Sequence, residues 1–425
     1  MLSIDLGRNS RYCDGISRRN MLKLGVLGMG GLTLPGLLRA EAAAGRGSSN
    51  KAIINIHLSG GPSHQDMFDL KPDAAREFRG EFNPIKTNVE GLDICEHFPK
   101  LAKMADKFAV IRSLIGMYDD HSNFHTQTGF GRNDLRNIGG RPSIGSVVSK
   151  LLGPTGSGAP CYIAYNEGYE GYLGPVHKAY RPQGGDLRLS KTMDESRLNN
   201  RTNLLSSLDK IRRDVDSTGK MNALDSFTQR AVGVVTSGKV ADALDIDKED
   251  KAVRERYGRD RDDSSQFLRA RRLVEAGVRV VTFDWGGWDT HGDNFNQLRR
   301  QLPKLDQGLA ALLTDLSDRG LDKDVTVVMW GEFGRTPRVN ESAGRDHWSR
   351  VAMCFLAGGG MRLGQAIGTS TKNAEEAKDR PVHLQEVFAT LYHNLGIDVA
   401  TQQIIDPAGR PQYLVEKRTP IKELI

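Results

Sequence analysis

Apolar runs with the character of β-strands alternate with amphipathic stretches along this chain, and no other feature of the sequence constrains the fold as strongly. The runs cover residues 52–58, 108–114, 278–283, 325–330 and 351–357. In residues 294–319, leucines recur at three- and four-residue steps, which is typical of an amphipathic helix. Near-continuous apolar strands with helical crossovers predict an α/β fold with a largely parallel sheet that is covered on both faces.

Polar residues with metal-binding or catalytic chemistry lie next to each of these runs. In open α/β sheets the ligand site lies beyond the carboxyl ends of the strands. Four groups follow the first four runs, and a fifth lies on the loop that enters the last run. In chain order the groups are His64 with Asp66, residues 119–125, residues 284–293, Glu332 with Arg335, and Asp346 with His347. The loop of residues 335–346 is long enough to bring the fifth group to the carboxyl ends of the strands. We therefore predict that the five groups form one shared site at that edge of the sheet.

Two of these segments place carboxylate and imidazole side by side on glycine-punctuated turns: residues 286–293 (GGWDTHGD) and residues 344–348 (GRDHW). Oxygen and nitrogen ligands together suit Zn, Mn or Fe. The alternative is that these polar residues only cap turns or face solvent. The distribution of the ten histidines favours a shared site, because six of them fall in or beside the predicted strand ends: His57, His64, His121, His125, His291 and His347.

The amino-terminal residues resemble an export signal. Residues 17–24 (SRRNMLKL) place two adjacent arginines before a weakly hydrophobic, glycine-rich stretch that runs to residue 38, and small residues follow at 40–44. This pattern predicts a twin-arginine signal over residues 1–44, the twin-arginine export machinery as a partner, and a periplasmic or secreted protein. An uncleaved anchor is the alternative, although Lys23 and Pro35 suit a membrane span poorly, and we expect no stable span after cleavage.

The charge pattern excludes one class of partner. Removal of residues 1–44 takes away six basic and three acidic side chains and lowers the formal net charge from +6 to +3. The remaining basic residues are interleaved with acidic ones, as in residues 248–251 and 254–256. Such mixed charge is typical of solvated helix faces, so we expect no nucleic-acid partner. Residues 45–425 are predicted to form one domain with a helical and loop insertion at about 153–263.

Six ordered motifs resemble the DUF1501 family over nearly the whole mature chain. They are residues 60–72, His121 with residues 128–129, and residues 141–148, 287–291, 331–337 and 344–348. The family resembles a branch of the alkaline phosphatase and sulfatase superfamily. The resemblance implies an alkaline-phosphatase-like, three-layer α/β/α sandwich and a metal-dependent hydrolase ancestry with a divalent metal, whose identity stays open among Zn, Mn, Fe and Ca.

The resemblance also implies a set of metal ligands. Asp289 and His291 resemble one ligand pair of the superfamily, and Asp346 with His347 resembles its last histidine contribution. Phe333 follows Glu332 where an Asp-His pair is expected, which removes one imidazole. The implied ligands are Asp289, His291, Glu332, Asp346, His347, His64 and Asp66. Arg335 would grip an anionic substrate oxygen in bidentate fashion.

The attacking group departs from the sulfatase pattern, because the chain lacks a C/S-x-P-x-R string. Ser122 and Thr126 carry hydroxyl groups, but residues of this type commonly cap helices. Metal-activated water is therefore the favoured nucleophile, since a metal lowers the pKa of bound water to about 7. His121 or His125 would then serve as general acid or base.

Three functional hypotheses follow from the residues and the resemblance. The leading one is an exported, metal-dependent hydrolase of a phosphate or sulfate ester, with an anionic ester such as a sulfated or phosphorylated glycan as substrate. The second is a non-catalytic envelope protein that keeps the sulfatase-like fold. The third is a metal hydrolase of another bond, such as an amide.

Overall fold

The computed structural model of the chain describes residues 51–182, 238–258 and 264–425, together with Arg197 and Asn200. These residues belong to one unit, Asn50–Ile425. The predicted signal of residues 1–44 and most of the predicted insertion lie outside the described residues. Within the described ranges, no helix combines the length and the apolar composition that a membrane span needs.

The strands of the described ranges fall into one large sheet and four small pairs. In chain order they are β1 (Ala52–His57), β2 (Pro84–Ile85), β3 (Ile94–Cys95), β4 (Phe108–Ile115), β5 (Tyr162–Ala164), β6 (Val280–Asp284), β7 (Val325–Trp330), β8 (Gly334–Arg335), β9 (His347–Trp348), β10 (Ala352–Gly358), β11 (Gln365–Ile367), β12 (Thr369–Ser370), β13 (Ala377–Asp379), β14 (Val382–His383), β15 (Gln403–Ile405) and β16 (Pro411–Tyr413). The five predicted runs correspond to β1, β4, β6, β7 and β10.

The helices of the described ranges are α1 (Arg76–Arg79), α2 (Pro99–Ala102), α3 (Phe124–Thr128), α4 (Ile144–Leu151), α5 (Lys239–Leu244), α6 (Lys251–Tyr257), α7 (Ser265–Glu275), α8 (Asn294–Asp318) and α9 (Leu384–Asn394). The helix predicted from the leucine spacing is α8. Its leucines are buried against the sheet, whereas its other face carries charged and amide side chains, as the period of 3.6 residues predicts.

The large sheet has the strand order β11-β4-β10-β7-β1-β6-β5, with β14 paired to β4. Only β10 runs against its neighbours, since it pairs antiparallel with both β4 and β7. The sheet is therefore largely parallel, as predicted. The reversed direction of β10 also places its first residues at the edge where the parallel strands end.

Both faces of the sheet are covered. Ile54 and Val327 point into one buried cluster that includes the leucines of α8, whereas Ile53 and Val328 point into a second cluster that includes α9. Successive side chains of a strand alternate between its two faces, so each strand contributes to both clusters. This arrangement confirms the predicted three-layer α/β/α sandwich.

Candidate metal centre

The central strands end at the same level, and this fixes where the functional side chains can lie. His57, the last residue of β1, pairs with Asp284 at the end of β6 and with Trp330 at the end of β7. The loop after β7 is tied to the loop before β10 by the short pair of β8 with β9, in which Arg335 lies opposite His347. The loops that carry the predicted groups therefore meet at one edge of the sheet.

Three side-chain atoms converge at this edge, on residues that we call the edge cluster: Asp289, His291 and His347. The Nε2 atoms of His291 and His347 are 3.0 Å apart. Asp289 Oδ1 lies 3.1 Å from Nε2 of His291 and 3.3 Å from Nε2 of His347. The two imidazoles are thus brought together from positions 56 residues apart in the chain.

A carboxylate orients each imidazole from behind. Nδ1 of His291 lies 2.6 Å from Asp346 Oδ1, and Nδ1 of His347 lies 3.1 Å from Asp119 Oδ1. An ionised carboxylate only accepts hydrogen bonds, so Nδ1 is the donor in each ring and Nε2 keeps its lone pair. The hydrogen bond from His291 holds the pKa of Asp346 below its ordinary value. A carboxylate behind a histidine is the usual support of a metal ligand.

The geometry of the edge cluster fits a cation. Two lone-pair nitrogens and one carboxylate oxygen lie 3.0 to 3.3 Å from one another. Ligands of a tetrahedral zinc site with bonds of about 2.0–2.1 Å are roughly 3.3 Å apart, so the spacing matches. Without a proton or a cation among them, three such atoms repel one another. Asp289 and His291 are about half exposed, which leaves room for a further ligand.

His121 borders the same point from a different loop. Its ligand atom lies with those of Asp289 and His347 in a group whose members are all within 4.8 Å of one another. Nε2 of His121 is 3.8 Å from Asp289 Oδ2, and its Nδ1 is 3.5 Å from Glu332 Oε1. This side chain is half exposed, so it can contact a molecule that binds at the edge cluster from the solvent side.

Glu332 lies beneath His121 and does not converge with the edge cluster. Its carboxylate is buried and accepts the backbone N–H groups of Gly60 and Gly61 at 2.8 and 3.2 Å. Nε2 of His57 lies 3.4 Å from Oε2. The backbone at Gly60 has φ +108°, and a Cβ there would lie 2.3 Å from the nitrogen of the residue at position 289, so a side chain is excluded.

Arg335 is fully buried, and its donors are occupied by the protein. Nε donates to the carbonyl of Gly61 at 2.8 Å, Nη1 donates to the carbonyl of Arg345 at 2.9 Å, and Nη2 contacts the carbonyl of Gly60 and donates to Asp289 Oδ1 at 2.6 Å. The side chain of Arg335 is not exposed to solvent, and its hydrogen bonds are made within the protein, whereas the prediction had it grip a substrate oxygen. Arg335 instead positions Asp289.

The environment of Asp289 favours its ionised form. Burial raises the pKa of this carboxyl, but the hydrogen bond and the charge of Arg335 outweigh burial, and the pKa lies below its ordinary value. Asp289 is therefore a carboxylate at neutral pH, as a metal ligand must be.

Phe333 packs against the imidazoles of His347 and His121. Its ring stacks on the imidazole of His347 with centroids 4.2 Å apart, and it contacts the edge of the His121 ring at 5.2 Å. Phe333 therefore fixes the two imidazoles by packing and does not ligate.

His125 lies below the site and faces the backbone. Its Nε2 donates to the carbonyl of Glu332 at 2.6 Å, and burial lowers the pKa of the imidazole to about 4. His125 is thus neutral at pH 7 and occupied by a main-chain acceptor. The structure brings His121, and not His125, to the edge cluster.

The predicted ligands His64 and Asp66 point away from the edge cluster. They lie in a 3₁₀ turn after β1 that directs both side chains into the protein. Asp66 accepts a bidentate ion pair from buried Arg345, at 2.8 and 3.0 Å, and its Oδ2 also accepts from Ser63 and Asn294. We call Asp66 and Arg345 the buried junction. Asp66, predicted as a metal ligand, therefore has both carboxylate oxygens engaged by Arg345.

His64 is completely buried beside this junction. Its nearest carboxylate oxygen is Oδ2 of Asp69, at 3.9 Å, and neither ring nitrogen has a hydrogen-bond partner among the described residues. Burial lowers the pKa of His64 to about 4. The ring is therefore a neutral interior group.

Sequence reasoning did not assign two residues that support the site. Asp119 orients His347, and the pair Asp119 and Asp120 in the loop after β4 was a usable signal, because ligand histidines commonly donate to a carboxylate. His57 closes β1 and contacts Glu332, with Thr126 Oγ1 at 3.2 Å from its Nδ1. Its position near the end of the predicted strand of residues 52–58 was a signal of the same kind.

A cavity of about 410 Å³ adjoins the edge cluster. His57, His121 and Glu332 form one wall, and residues from the loops after α3 and β5 form the other. Most of its lining groups are polar. The site is therefore an open rim of imidazoles and carboxylates with a polar cavity beside it.

Several solved structures resemble this chain. Three of them are the PsFucS1 sulfatase from Pseudoalteromonas sp. (11% identity, 85% of this chain, 70% of that chain, TM-score 0.39), the lipoteichoic acid synthase LtaP from Listeria monocytogenes (11%, 82%, 73%, 0.37) and the phosphonate monoester hydrolase SpPMH from Silicibacter pomeroyi (10%, 82%, 73%, 0.34). No curated protein sequence matches the chain.

The six sequence motifs resemble the DUF1501 family, and a comparison with family models tests that resemblance. The family model described as "Protein of unknown function (DUF1501)" matches residues 50–425, which is most of the chain. The predicted family is thereby confirmed, and the chain belongs to the DUF1501 family.

Proposed function

We propose that this protein is an exported, metal-dependent hydrolase of a phosphate or sulfate ester. One observation carries the proposal: Asp289, His291 and His347 direct three ligand atoms at one point, with separations of 3.0 to 3.3 Å. The export part of the proposal is supported by the twin-arginine pattern of residues 17–24, which favours the periplasm or the outside of the cell as the location.

The edge cluster would hold a divalent metal, and His121 would border it without binding it. Two imidazoles and one carboxylate favour Zn, Mn or Fe over Ca, because Ca takes oxygen ligands. A metal held there would polarise an ester oxygen and lower the pKa of a bound water. The half-exposed position of the cluster leaves it accessible to an anionic ester.

The protein's own residues then fix the geometry and handle a proton. Arg335 holds Asp289, while Asp346 and Asp119 hold the two ligand imidazoles. His121 has a half-exposed ring between two carboxylates, so it can carry a proton to or from an ester oxygen at the cluster. His121 is therefore the general acid or base of this proposal, and a side-chain nucleophile is not required.

The experiment compares metal content and ester hydrolysis in three proteins: the wild type, Asp289→Asn and Asp293→Asn. Asp293 is an exposed carboxylate in the same loop, and its backbone φ of 51° suits Asn, so it is a matched control. Elemental analysis follows metal exchange with Zn, Mn and Fe, and nitrophenyl phosphate and nitrophenyl sulfate report turnover.

We expect the wild type and Asp293→Asn to bind metal and release nitrophenol. Asp289→Asn should lose at least 100-fold in turnover, because it loses the ionised ligand. Metal binding without turnover in the wild type would contradict the hydrolase. Equal metal content in all three proteins would contradict the assigned ligand set.

A non-catalytic envelope protein is the second candidate function. The observation that favours it is Phe333, which packs against His347 and His121 where an additional imidazole would complete a larger metal site. This candidate predicts metal binding at the edge cluster and no hydrolysis of either nitrophenyl ester. The same experiment therefore separates the two functions.

A further inference from the structure

The polar cavity beside the edge cluster has the size of a ligand site. Its volume of about 410 Å³ lies within the range of small-molecule sites, about 300–1,000 Å³. It shares His121 and Glu332 with the surroundings of the cluster. A molecule that places an ester at the cluster would therefore extend its other part into this cavity.

Hydrogen bonds order the side chains that line this cavity and leave selected atoms unused. The amide of Asn166 donates to Asp284 Oδ1 at 2.6 Å, and the hydroxyl of Tyr169 donates to Asn123 Oδ1 at 2.9 Å. The second carboxylate oxygen of Asp284 and the amide nitrogen of Asn123 have no hydrogen-bond partner among the described residues. The lining thus offers both an acceptor and a donor in fixed positions.

The lining carries charged groups of both signs. Arg132 and Arg181 supply guanidinium groups, and Glu167, Asp284 and Glu332 supply carboxylates. Arg132 is already paired with Asp120 at 3.2 Å, so no unpaired cluster of one sign faces the cavity. Arg181 uses Nε to donate to the carbonyl of Asn166 at 2.9 Å, which leaves its terminal nitrogens available. A second anion would meet the carboxylates and a cation would meet the guanidinium groups. A neutral group with many hydroxyls matches both, because each hydroxyl donates and accepts.

We propose that this cavity binds the alcohol part of the ester and that this alcohol is a neutral, hydroxyl-rich ring, such as an aldose. The inference rests on the proposed function for the position of the ester, but binding of the ring depends on the cavity alone. Apolar ligands need predominantly apolar walls, so the polar lining also disfavours an aryl or lipid alcohol.

Ligand-observed NMR of the full chain with glucose, galactose and mannose tests the inference directly. We expect saturation transfer from the protein to at least one sugar. Arg181→Met and Asp284→Asn should each weaken its binding at least fivefold. Arg136→Met is the matched control, because Arg136 is an exposed arginine outside the cavity, and it should leave binding unchanged.

The outcomes separate this inference from the proposed function. Absence of saturation transfer to all three sugars would overturn the inference, as would binding that Arg181→Met and Asp284→Asn leave intact. Sugar binding that depends on both residues supports the inference even if nitrophenyl esters are not hydrolysed, and in that case only the proposed function fails. Hydrolysis of nitrophenyl esters without sugar binding would support the proposed function and overturn this inference.

Discussion

The edge cluster and the buried junction use the same kinds of side chain in opposite surroundings. In the edge cluster, Asp289 and His291 are about half exposed, and three ligand atoms face one another. In the junction, Asp66 and Arg345 are buried, and Arg345 satisfies both carboxylate oxygens. A carboxylate next to a histidine is therefore a ligand candidate only where its oxygens remain available.

The two regions are also connected, although their roles differ. Asn294 donates to Asp66 Oδ2 at 3.0 Å and accepts from Thr290 at 2.6 Å, next to Asp289 and His291. Arg345 precedes Asp346 and His347 in the chain. The junction thus joins the loop after β1, the loop after β6 and the loop before β10. It stabilises the loops that carry the residues of the edge cluster.

The largest expected effect is the loss of the junction. Asp66→Ala leaves the guanidinium of Arg345 buried without its partner, which costs about 3–5 kcal/mol in the free energy of unfolding. Asp346→Ala removes a half-exposed carboxylate and should change it by less than about 1 kcal/mol. Urea unfolding of both variants measures the contrast. Equal losses in the two variants would contradict the distinction between the two regions.

The second-largest expected effect is a pH dependence of the free energy of unfolding. It comes from His64, which is buried beside the junction. The pKa of His64 is about 4 in the folded protein and about 6.5 when unfolded. Below pH 6.5 the unfolded chain therefore binds more protons, and stability falls as the pH decreases towards 4. The loss reaches about 3 kcal/mol for this one group.

His64→Leu should remove that part of the pH dependence, since leucine does not titrate. Urea unfolding between pH 4.5 and pH 7 measures the slope. His393→Gln is the control, because His393 is an exposed histidine on α9. If His64→Leu keeps the full acid sensitivity of the wild type, the buried, neutral state of His64 is contradicted.

The smallest expected effect is a change in metal affinity when the carboxylate that orients His291 is altered. Asp346→Asn keeps the size of the side chain that orients His291 but removes its charge. Loss of such a carboxylate typically costs 10- to 100-fold in metal affinity, and we expect a change in this range for Zn. Competition with a chromophoric chelator measures the affinity. An unchanged affinity would show that Asp346 does not support His291 as a ligand.

Much of the fold was predictable because the strands are buried on both faces. Continuous apolar runs located β1, β4, β6, β7 and β10 to within two residues at each end. The direction of β10 was not predicted, since an apolar run carries no information about direction. The signal was in the connection, because residues 331–351 lack the helical crossover that parallel neighbours need.

The candidate site was partly predictable for a related reason. The rule that ligands lie at strand ends correctly brought Asp289, His291, Asp346 and His347 to one edge. It could not show that the 3₁₀ turn after β1 directs Asp66 inward, or that carbonyl groups of Gly60 and Gly61 occupy Arg335. Both facts depend on partners that are distant in the sequence.

The most direct test of the central claim is a crystal of the zinc-loaded protein measured at the zinc absorption edge. We expect an anomalous peak within bonding distance of His291 Nε2, His347 Nε2 and Asp289 Oδ1. A map of the zinc-loaded protein with no peak at these three atoms, or with the imidazoles of His291 and His347 facing different directions, would contradict the proposed metal site.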